Sequence, residues 1–309
     1  MKILVSDVLA DAAIQEMKNA GLDVTVKTGM KGPELAAFIG PFHVLAVRSQ
    51  SKVTEEVIAA AKNLKLIVRA GVGLDNVDAE AARAKNIRVE NTPHATTITV
   101  AEHTFALMLA LVRHIPQAWN SLRQGEWDRK TFQGSELKGK TLGILGLGRI
   151  GQEVAKRAKA FGMHVIANDN AVDSEVAEAL EIEMHPFEKV VALSDILSIH
   201  LPLTPKTKNL FDADMLHKMK KGARLINAAR GGIVDEKALA EALQEGHLAG
   251  AAIDVFEEEP PAKDNLLFKL KNVIAVPHIG AATDEGQSRA GHEAARIIIE
   301  FVRVSLRGA

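Results

Sequence analysis

Thr141-Leu142-Gly143-Ile144-Leu145-Gly146-Leu147-Gly148-Arg149-Ile150-Gly151 reads as a buried strand running into a glycine-rich turn and out into a helix. The helical pattern continues to Phe161 and stops at Gly162, and a second strand, 164–168, ends at Asp169. A G-x-G-x-x-G turn alone is weak evidence. Placed between two strands, with an acidic residue about 20 positions on, it marks a dinucleotide site. Gly146 permits the tight turn, Gly148 leaves room for a pyrophosphate against the backbone, and Gly151 lets helix and strand pack closely. Free amides at the helix start meet the phosphate charge. Asp169 suits a ribose diol and would repel a 2′-phosphate. No Arg or Lys follows in Asn170-Ala171-Val172-Asp173, so NAD is expected rather than NADP. A tight turn that binds nothing is the bland alternative.

Outward from this motif, short apolar runs alternate with helix-length amphipathic segments, the signature of parallel α/β architecture. Before it, strands are expected at 2–5, 24–26, 43–47, 65–68 and 88–89, with helices such as 10–20 and 55–62 between them. A long apolar helix begins near Thr99 and passes Leu111, followed by a polar stretch, 124–128. After it, strands are expected at 141–145, 164–168, 195–200, 224–228, 250–254 and 273–276, then one long amphipathic helix, 284–304.

The 309 residues are enough for two domains, and 47% hydrophobic with 25% charged is ordinary globular composition. A net charge of −1 shows no basic surplus, so no nucleic-acid partner is expected. With no cysteine there is no disulfide, thiolate metal site or cysteine nucleophile, which fits the cytoplasm. The N-terminal apolar run is too short for a signal peptide, and 105–112 is far short of a membrane span. No HExxH occurs and no metal is expected.

Three titratable or charged residues each follow an expected strand: Arg230 in Asn227-Ala228-Ala229-Arg230-Gly231-Gly232, Glu259 after Asp254-Val255-Phe256, and His278 in Val276-Pro277-His278-Ile279-Gly280. In an open parallel sheet ligands lie beyond the carboxyl ends of the strands, so all three fall on one edge. Hydride transfer to a ketone leaves an alkoxide that needs a proton, which a histidine can supply; a neighbouring carboxylate favours its proton-donating form. Glu259 is that neighbour, and Arg230 could grip a carboxylate and polarise a carbonyl. Asp254 could hold the nicotinamide carboxamide. Singly, each has an ordinary alternative: a packed histidine, a solvated acidic loop, a surface arginine, a loop cap. Their joint placement after consecutive strands favours chemistry.

These stretches, with Arg69-Ala70-Gly71-Val72-Gly73-Leu74-Asp75-Asn76-Val77-Asp78, resemble the D-isomer-specific 2-hydroxyacid dehydrogenases over essentially the whole chain. The resemblance implies an α/β protein of two parallel-sheet domains, a Rossmann-type NAD-binding domain (98–283) inserted in a flavodoxin-like substrate domain (1–97, completed by 284–309), with a cleft between them. It implies catalytic roles for Arg230, Glu259 and His278. Cofactor contacts are implied at Gly146, Gly148, Arg149, Ile150, Gly151, Asp169, Ala228, Arg230, Asp254, His278, Gly280 and Ala281. The backbone of Gly71, Val72 and Gly73 would hold a substrate carboxylate with Arg230 and His278, and Arg48 would select a phosphate. Val72 and Leu201 stand where close relatives often carry threonine, and Asn168 and Asn170 where tyrosine and proline are frequent.

The activity this implies is NAD-dependent oxidation of D-3-phosphoglycerate to 3-phosphohydroxypyruvate, the first step of serine biosynthesis. A hydroxypyruvate or glyoxylate reductase on the same scaffold, and a non-catalytic NAD(H)-sensing protein, are the alternatives. The expected partner is a small phosphorylated hydroxy acid; the expected assembly is a homodimer, or a homotetramer, formed through the segment after the long helix. Because the sequence ends at Ala309, regulation by serine through a further domain is not expected.

Overall fold

The computed structural model describes residues 1–307; Gly308 and Ala309, the last two positions of the expected 284–309 segment, lie outside the described residues. The strands are β1 (Lys2–Val5), β2 (Asp23–Val26), β3 (Val44–Val47), β4 (Leu66–Arg69), β5 (Arg88–Asn91), β6 (Thr141–Leu145), β7 (His164–Asn168), β8 (Glu183–Met184), β9 (Ile196–Ile199), β10 (Arg224–Asn227), β11 (Gly250–Ile253) and β12 (Val273–Ala275). They form two sheets. One has the order β2-β1-β3-β4-β5 and the other β12-β11-β10-β9-β6-β7-β8. Every pairing between neighbouring strands is parallel. The protein is therefore α/β with two parallel sheets. The first sheet has the flavodoxin-like order, and the second is doubly wound about β6.

Residues 1–97 with the chain from Ala281 onward make one compact unit, and Ile98–Gly280 make another. In the first unit, alternate residues of each strand go to opposite faces. Ile3, Val5, Val44, Ala46, Leu66 and Val68 pack under Ala290, Ala294 and Ile298 of the helix Asp284–Arg307. Leu4, Leu45, Val47 and Ile67 meet Leu35, Val57 and Ile58 of two short helices on the other side. Both faces are covered over β1, β3 and β4, so these strands read as apolar runs rather than as alternation, while the edge strands β2 and β5 carry polar residues. Fully burying a side chain such as Ile298 contributes about 1.5–3 kcal/mol.

The second unit repeats the scheme. Leu197, Ile199, Leu225, Ala251 and Ile253 face one core. Leu142, Ile144, Ile196, Ile226 and Ala252 face the other, against Phe105, Met108 and Leu111 of the long helix Thr97–Val112. That helix ends where His114 takes a left-handed conformation (φ 54°), and Pro116 opens a second helix, Ile115–Arg123, bent 61° from the first. A proline ring clashes with the preceding turn of a helix interior, so the direction changes there. Among the described residues no single helix is long and apolar enough to cross a membrane; only this bent pair, taken together, has the length and composition.

Strand β8 has no counterpart in the sequence reading. It is a two-residue, exposed edge strand, Glu183–Met184, without an apolar run to announce it. Strands β9 to β12 each stop one residue before the expected end, whereas β4 and β5 run one and two residues past it. His200, Ala228, Asp254 and Val276 leave the ladder and turn into the loops that carry the site.

Candidate active site

Strand β6 lies between β7 and β9, where the winding of the second sheet reverses; such a reversal opens a crevice at the carboxyl edge. The glycine turn sits there. Gly146 has φ 92°, and a Cβ on it would come within 2.6 Å of the His200 carbonyl oxygen at the end of β9. A Cβ on Gly151 would stand 2.2 Å from the Gly146 carbonyl oxygen. Both glycines are thus required by close backbone approach. Gly148, by contrast, caps the helix Arg149–Ala160 and has nothing within 4 Å of where its Cβ would be. Open space before the amides of a helix start is what a pyrophosphate needs, so these residues fit a dinucleotide. Arg149 is exposed beside this space, while Ile150 packs against the core below.

Asp169 closes the turn from the side. Its Oδ2 accepts the Leu147 N–H at 2.7 Å, and its Oδ1 accepts those of Ala171 at 2.7 Å and Val172 at 3.1 Å. The carboxylate therefore shapes the turn itself and retains lone pairs for a ribose diol.

Behind the turn, Ser198 Oγ and His200 Nε2 are 2.9 Å apart, and burial holds the His200 pKa down to about 4. An unfolded histidine titrates near 6.5, so the unfolded chain binds this proton first and stability falls as pH drops from 6.5 toward 4. Denaturant unfolding should show this group removing about 2 kcal/mol between pH 7.5 and pH 5. His200→Gln should flatten that part of the profile; an unaltered profile would show that His200 does not produce it.

Arg230, Glu259 and His278 occupy the loops after β10, β11 and β12. One contact braces the first of these loops and another sets it against the second. Asn227, buried at the end of β10, accepts the Ala229 N–H at 3.1 Å and donates through Nδ2 to the Arg230 carbonyl at 3.0 Å. Gly231 lies so close to the β11 loop that a Cβ would come within 1.7 Å of the Phe256 carbonyl oxygen. Arg230 is half-buried; its Nη1 donates to the Ala229 carbonyl at 2.6 Å. Ala228 packs on the core beneath.

Glu259 accepts the Phe256 N–H at 3.2 Å through Oε1 and meets His278 Nδ1 at 2.7 Å through Oε2. Both side chains are partly open to solvent, 38% and 47% exposed, which leaves the far ring nitrogen, Nε2, accessible. His278 has φ 49°, a left-handed conformation that costs a non-glycine residue about 1 kcal/mol or more and persists only where neighbours enforce it. The enforcement is visible. The His278 N–H donates to the Asp254 carbonyl at 2.8 Å. The buried Asp254 carboxylate accepts the Ile279 N–H at 2.8 Å and the Gly280 N–H at 2.9 Å. Gly280 allows this approach, since a Cβ would stand 2.8 Å from Asp254 Oδ2. Asp254, expected to face the nicotinamide carboxamide, is thus also the anchor of the histidine loop. Ala281 is exposed at the far end of that loop.

In the first unit, Arg48 follows β3 and Gly71–Gly73 follow β4. Gly71 has the Arg69 guanidinium where a side chain would be, with Nη1 1.9 Å from an ideal Cβ. Asn91 Nδ2 donates to the Val72 carbonyl at 2.5 Å, and the Thr92 N–H to the Gly71 carbonyl at 3.0 Å.

Sequence reasoning passed over Asn227, and also His103, whose Nε2 lies 3.4 Å from Asp254 Oδ1 on the helix Thr97–Val112. That atom is buried and makes no hydrogen bond, so the contact is one of proximity. The available signal was a polar side chain inside an apolar helix or at the end of a buried strand. Among the described residues no group of three or more His, Asp or Glu is placed to hold a metal ion.

The fold and these loops coincide with a known family. Residues 105–280 match the model of the "D-isomer specific 2-hydroxyacid dehydrogenase, NAD binding domain", and the chain belongs to that family. Among curated proteins it is 52% identical over 309 residues to the D-3-phosphoglycerate dehydrogenase of Methanocaldococcus jannaschii, covering 100% of this chain and 58% of that protein. The chain thus spans little more than half the length of that relative. Among solved structures, the TT0316 protein of Thermus thermophilus superposes with a TM-score of 0.89 at 37% identity, covering 98% of this chain and 97% of the other. The D-lactate dehydrogenase of Aquifex aeolicus, solved with NAD and lactic acid, superposes at 0.87 with 29% identity, covering 99% and 97%. NAD is the cofactor these relationships support.

Proposed function

We propose that the chain oxidises D-3-phosphoglycerate at C2 to 3-phosphohydroxypyruvate with NAD, the first step of serine biosynthesis. The observation that carries this is the His278–Glu259 pair, 2.7 Å between Nδ1 and Oε2, at the carboxyl edge of the sheet that bears the glycine turn. The identity to D-3-phosphoglycerate dehydrogenases supports the substrate.

NAD, when bound, supplies the hydride acceptor. His278 Nε2 takes the proton of the C2 hydroxyl as the hydride leaves, while Glu259 fixes the ring from the other nitrogen and stabilises the imidazolium that forms. Arg230 binds the carboxylate and the oxygen at C2. The backbone of Gly71, Val72 and Gly73 takes the carboxylate, and Arg48 the phosphate. Gly146, Gly148, Arg149, Ile150, Gly151, Asp169, Ala228, Asp254, Gly280 and Ala281 make up the cofactor side.

In this proposal 1–97, completed by 284–309, is the substrate-binding domain and 98–283 the NAD-binding domain. The division of the chain at Thr97 and Gly280 supports it. Homodimerisation through the segment after the long helix belongs to the same proposal, supported by the exposure of Ile115, Trp119, Leu122 and Trp127 there. So does a cytoplasmic setting, in keeping with a chain free of cysteine.

The test is turnover of 3-phosphohydroxypyruvate with NADH and of 3-phosphoglycerate with NAD, followed by absorbance. Arg48→Ala should lower kcat/KM on the phosphorylated keto acid by about tenfold or more, and on hydroxypyruvate far less, because a charge-assisted phosphate contact is lost from one substrate alone. Equal losses on both would favour a hydroxypyruvate or glyoxylate reductase. Tight NADH binding without turnover would favour a sensor.

A further inference from the structure

The first sheet also reverses its winding, between β1 and β3, and the loops after those two strands meet over a buried carboxylate. Asp7, 2% exposed, follows β1. Its Oδ2 accepts the Arg48 N–H at 2.6 Å. It also accepts the Ser51 N–H, at 3.0 Å on Oδ1 and 3.1 Å on Oδ2, and the Ser51 hydroxyl at 2.6 Å. Ser51 Oγ lies 2.8 Å from the buried Ser6 hydroxyl. The bend from Arg48 to Ser51 is thus wrapped around an anion supplied by the chain itself. A buried carboxylate needs such donors, so the bend and Asp7 define each other.

From the other side comes Asn76, at the end of the loop that begins with Gly71. Its Nδ2 donates to the Arg48 carbonyl and to the Ser51 carbonyl, each at 2.7 Å. Its own carbonyl accepts the Val53 N–H at 2.8 Å. One amide side chain therefore ties the Arg48 bend to the Gly71–Asn76 loop. The Arg48 side chain is held as well: Nη1 donates to the Val8 carbonyl at 3.2 Å and to Gln287 Oε1 at 3.4 Å, leaving Nε and Nη2 for a ligand.

We infer that Asp7, Ser51 and Asn76 are positioning residues that set the spacing between the carboxylate-binding backbone and the phosphate-selecting guanidinium, and so select a phosphorylated three-carbon acid over its unphosphorylated counterpart. This rests on the substrate assignment proposed above. On the preference for a phosphate the frame acts through Arg48. A substrate without a phosphate senses its loss weakly, and a substrate with one senses it strongly. A general weakening of the fold would instead lower both activities together.

The test is a double-mutant cycle on substrate preference, the ratio of kcat/KM for 3-phosphohydroxypyruvate to that for hydroxypyruvate, with NADH saturating. Asn76→Ala should lower the ratio about tenfold, chiefly through KM of the phosphorylated substrate. In the Arg48→Ala background the same change should lower it no further, because partners acting through one group are not additive. Ser51→Ala, a milder lesion that leaves Asn76 in place, should lower the ratio about threefold and repeat the pattern should Asn76→Ala fold poorly. Calorimetric titration of 3-phosphoglycerate onto the NAD-loaded protein should follow the same order. An unchanged ratio in both single variants, or effects that add to that of Arg48→Ala, would overturn the frame and leave the substrate assignment standing. A wild-type chain indifferent to the phosphate would overturn both.

Discussion

His278→Gln should lower kcat by about 10³-fold in either direction of the reaction, the middle of the range that a positioned general acid–base contributes. Glutamine has nearly the length of histidine and can still donate to Glu259, so the loop is kept while the transferable proton is lost. The backbone makes this a clean substitution. His278 sits at φ 49°, and the conformation is imposed by bonds that no side-chain change removes: its own N–H to the Asp254 carbonyl, and the two amides after it to the Asp254 carboxylate. Glutamine inherits the strain unchanged. NADH binding, followed by fluorescence, should stay within about threefold of the native chain, since the lost group acts on the reacting oxygen. The pH–rate profile should lose the limb that reports the imidazole. A variant with near-native kcat would exclude His278 as the acid–base.

Asp254 also shows how far the sequence could be read. The alternation of apolar runs announced both parallel sheets, because strands covered on both faces carry no polar positions to confuse the pattern. Strands β1, β6 and β7 fall where the apolar residues place them. The chemical residues were legible because each follows a strand, and in parallel sheets all such ends share one edge. What was not legible is how those loops are held. Asp7 and Asn76 each spend a side chain on backbone groups of a loop distant in sequence, 44 residues away for Asp7 and Ser51, while Asn227 braces the loop that follows it directly. A polar residue at a strand end looks the same in sequence whether it faces solvent, caps a turn or anchors another loop. Only the sheet order decides, and β3 had first to be known to lie beside β1. The break at His114 was legible only in part: Arg113-His114 interrupt the apolar run and Pro116 follows, but neither gives the angle at which the second helix leaves.

Arg230→Ala should lower kcat/KM by about 10²–10³-fold, roughly the 3–4 kcal/mol lost when one transition-state donor is removed, with the folded state intact. Alanine leaves the loop its supports. Asn227 still bonds the backbone on both sides of the position, and Gly231 still lies against the Phe256 carbonyl. The loss should divide between the kinetic constants in a telling way. A guanidinium on the substrate carboxylate serves ground and transition states alike and appears in KM, whereas one on the C2 oxygen acts as charge develops and appears in kcat. Since Arg230 is proposed to do both, KM should rise and kcat should fall. Arg230→Lys should recover the charge but not the planar fork, restoring kcat/KM by about tenfold and leaving it below the native value. Full recovery by lysine would show that charge alone suffices. A loss confined to KM would restrict the arginine to holding the carboxylate and place the polarisation of C2 on His278 alone.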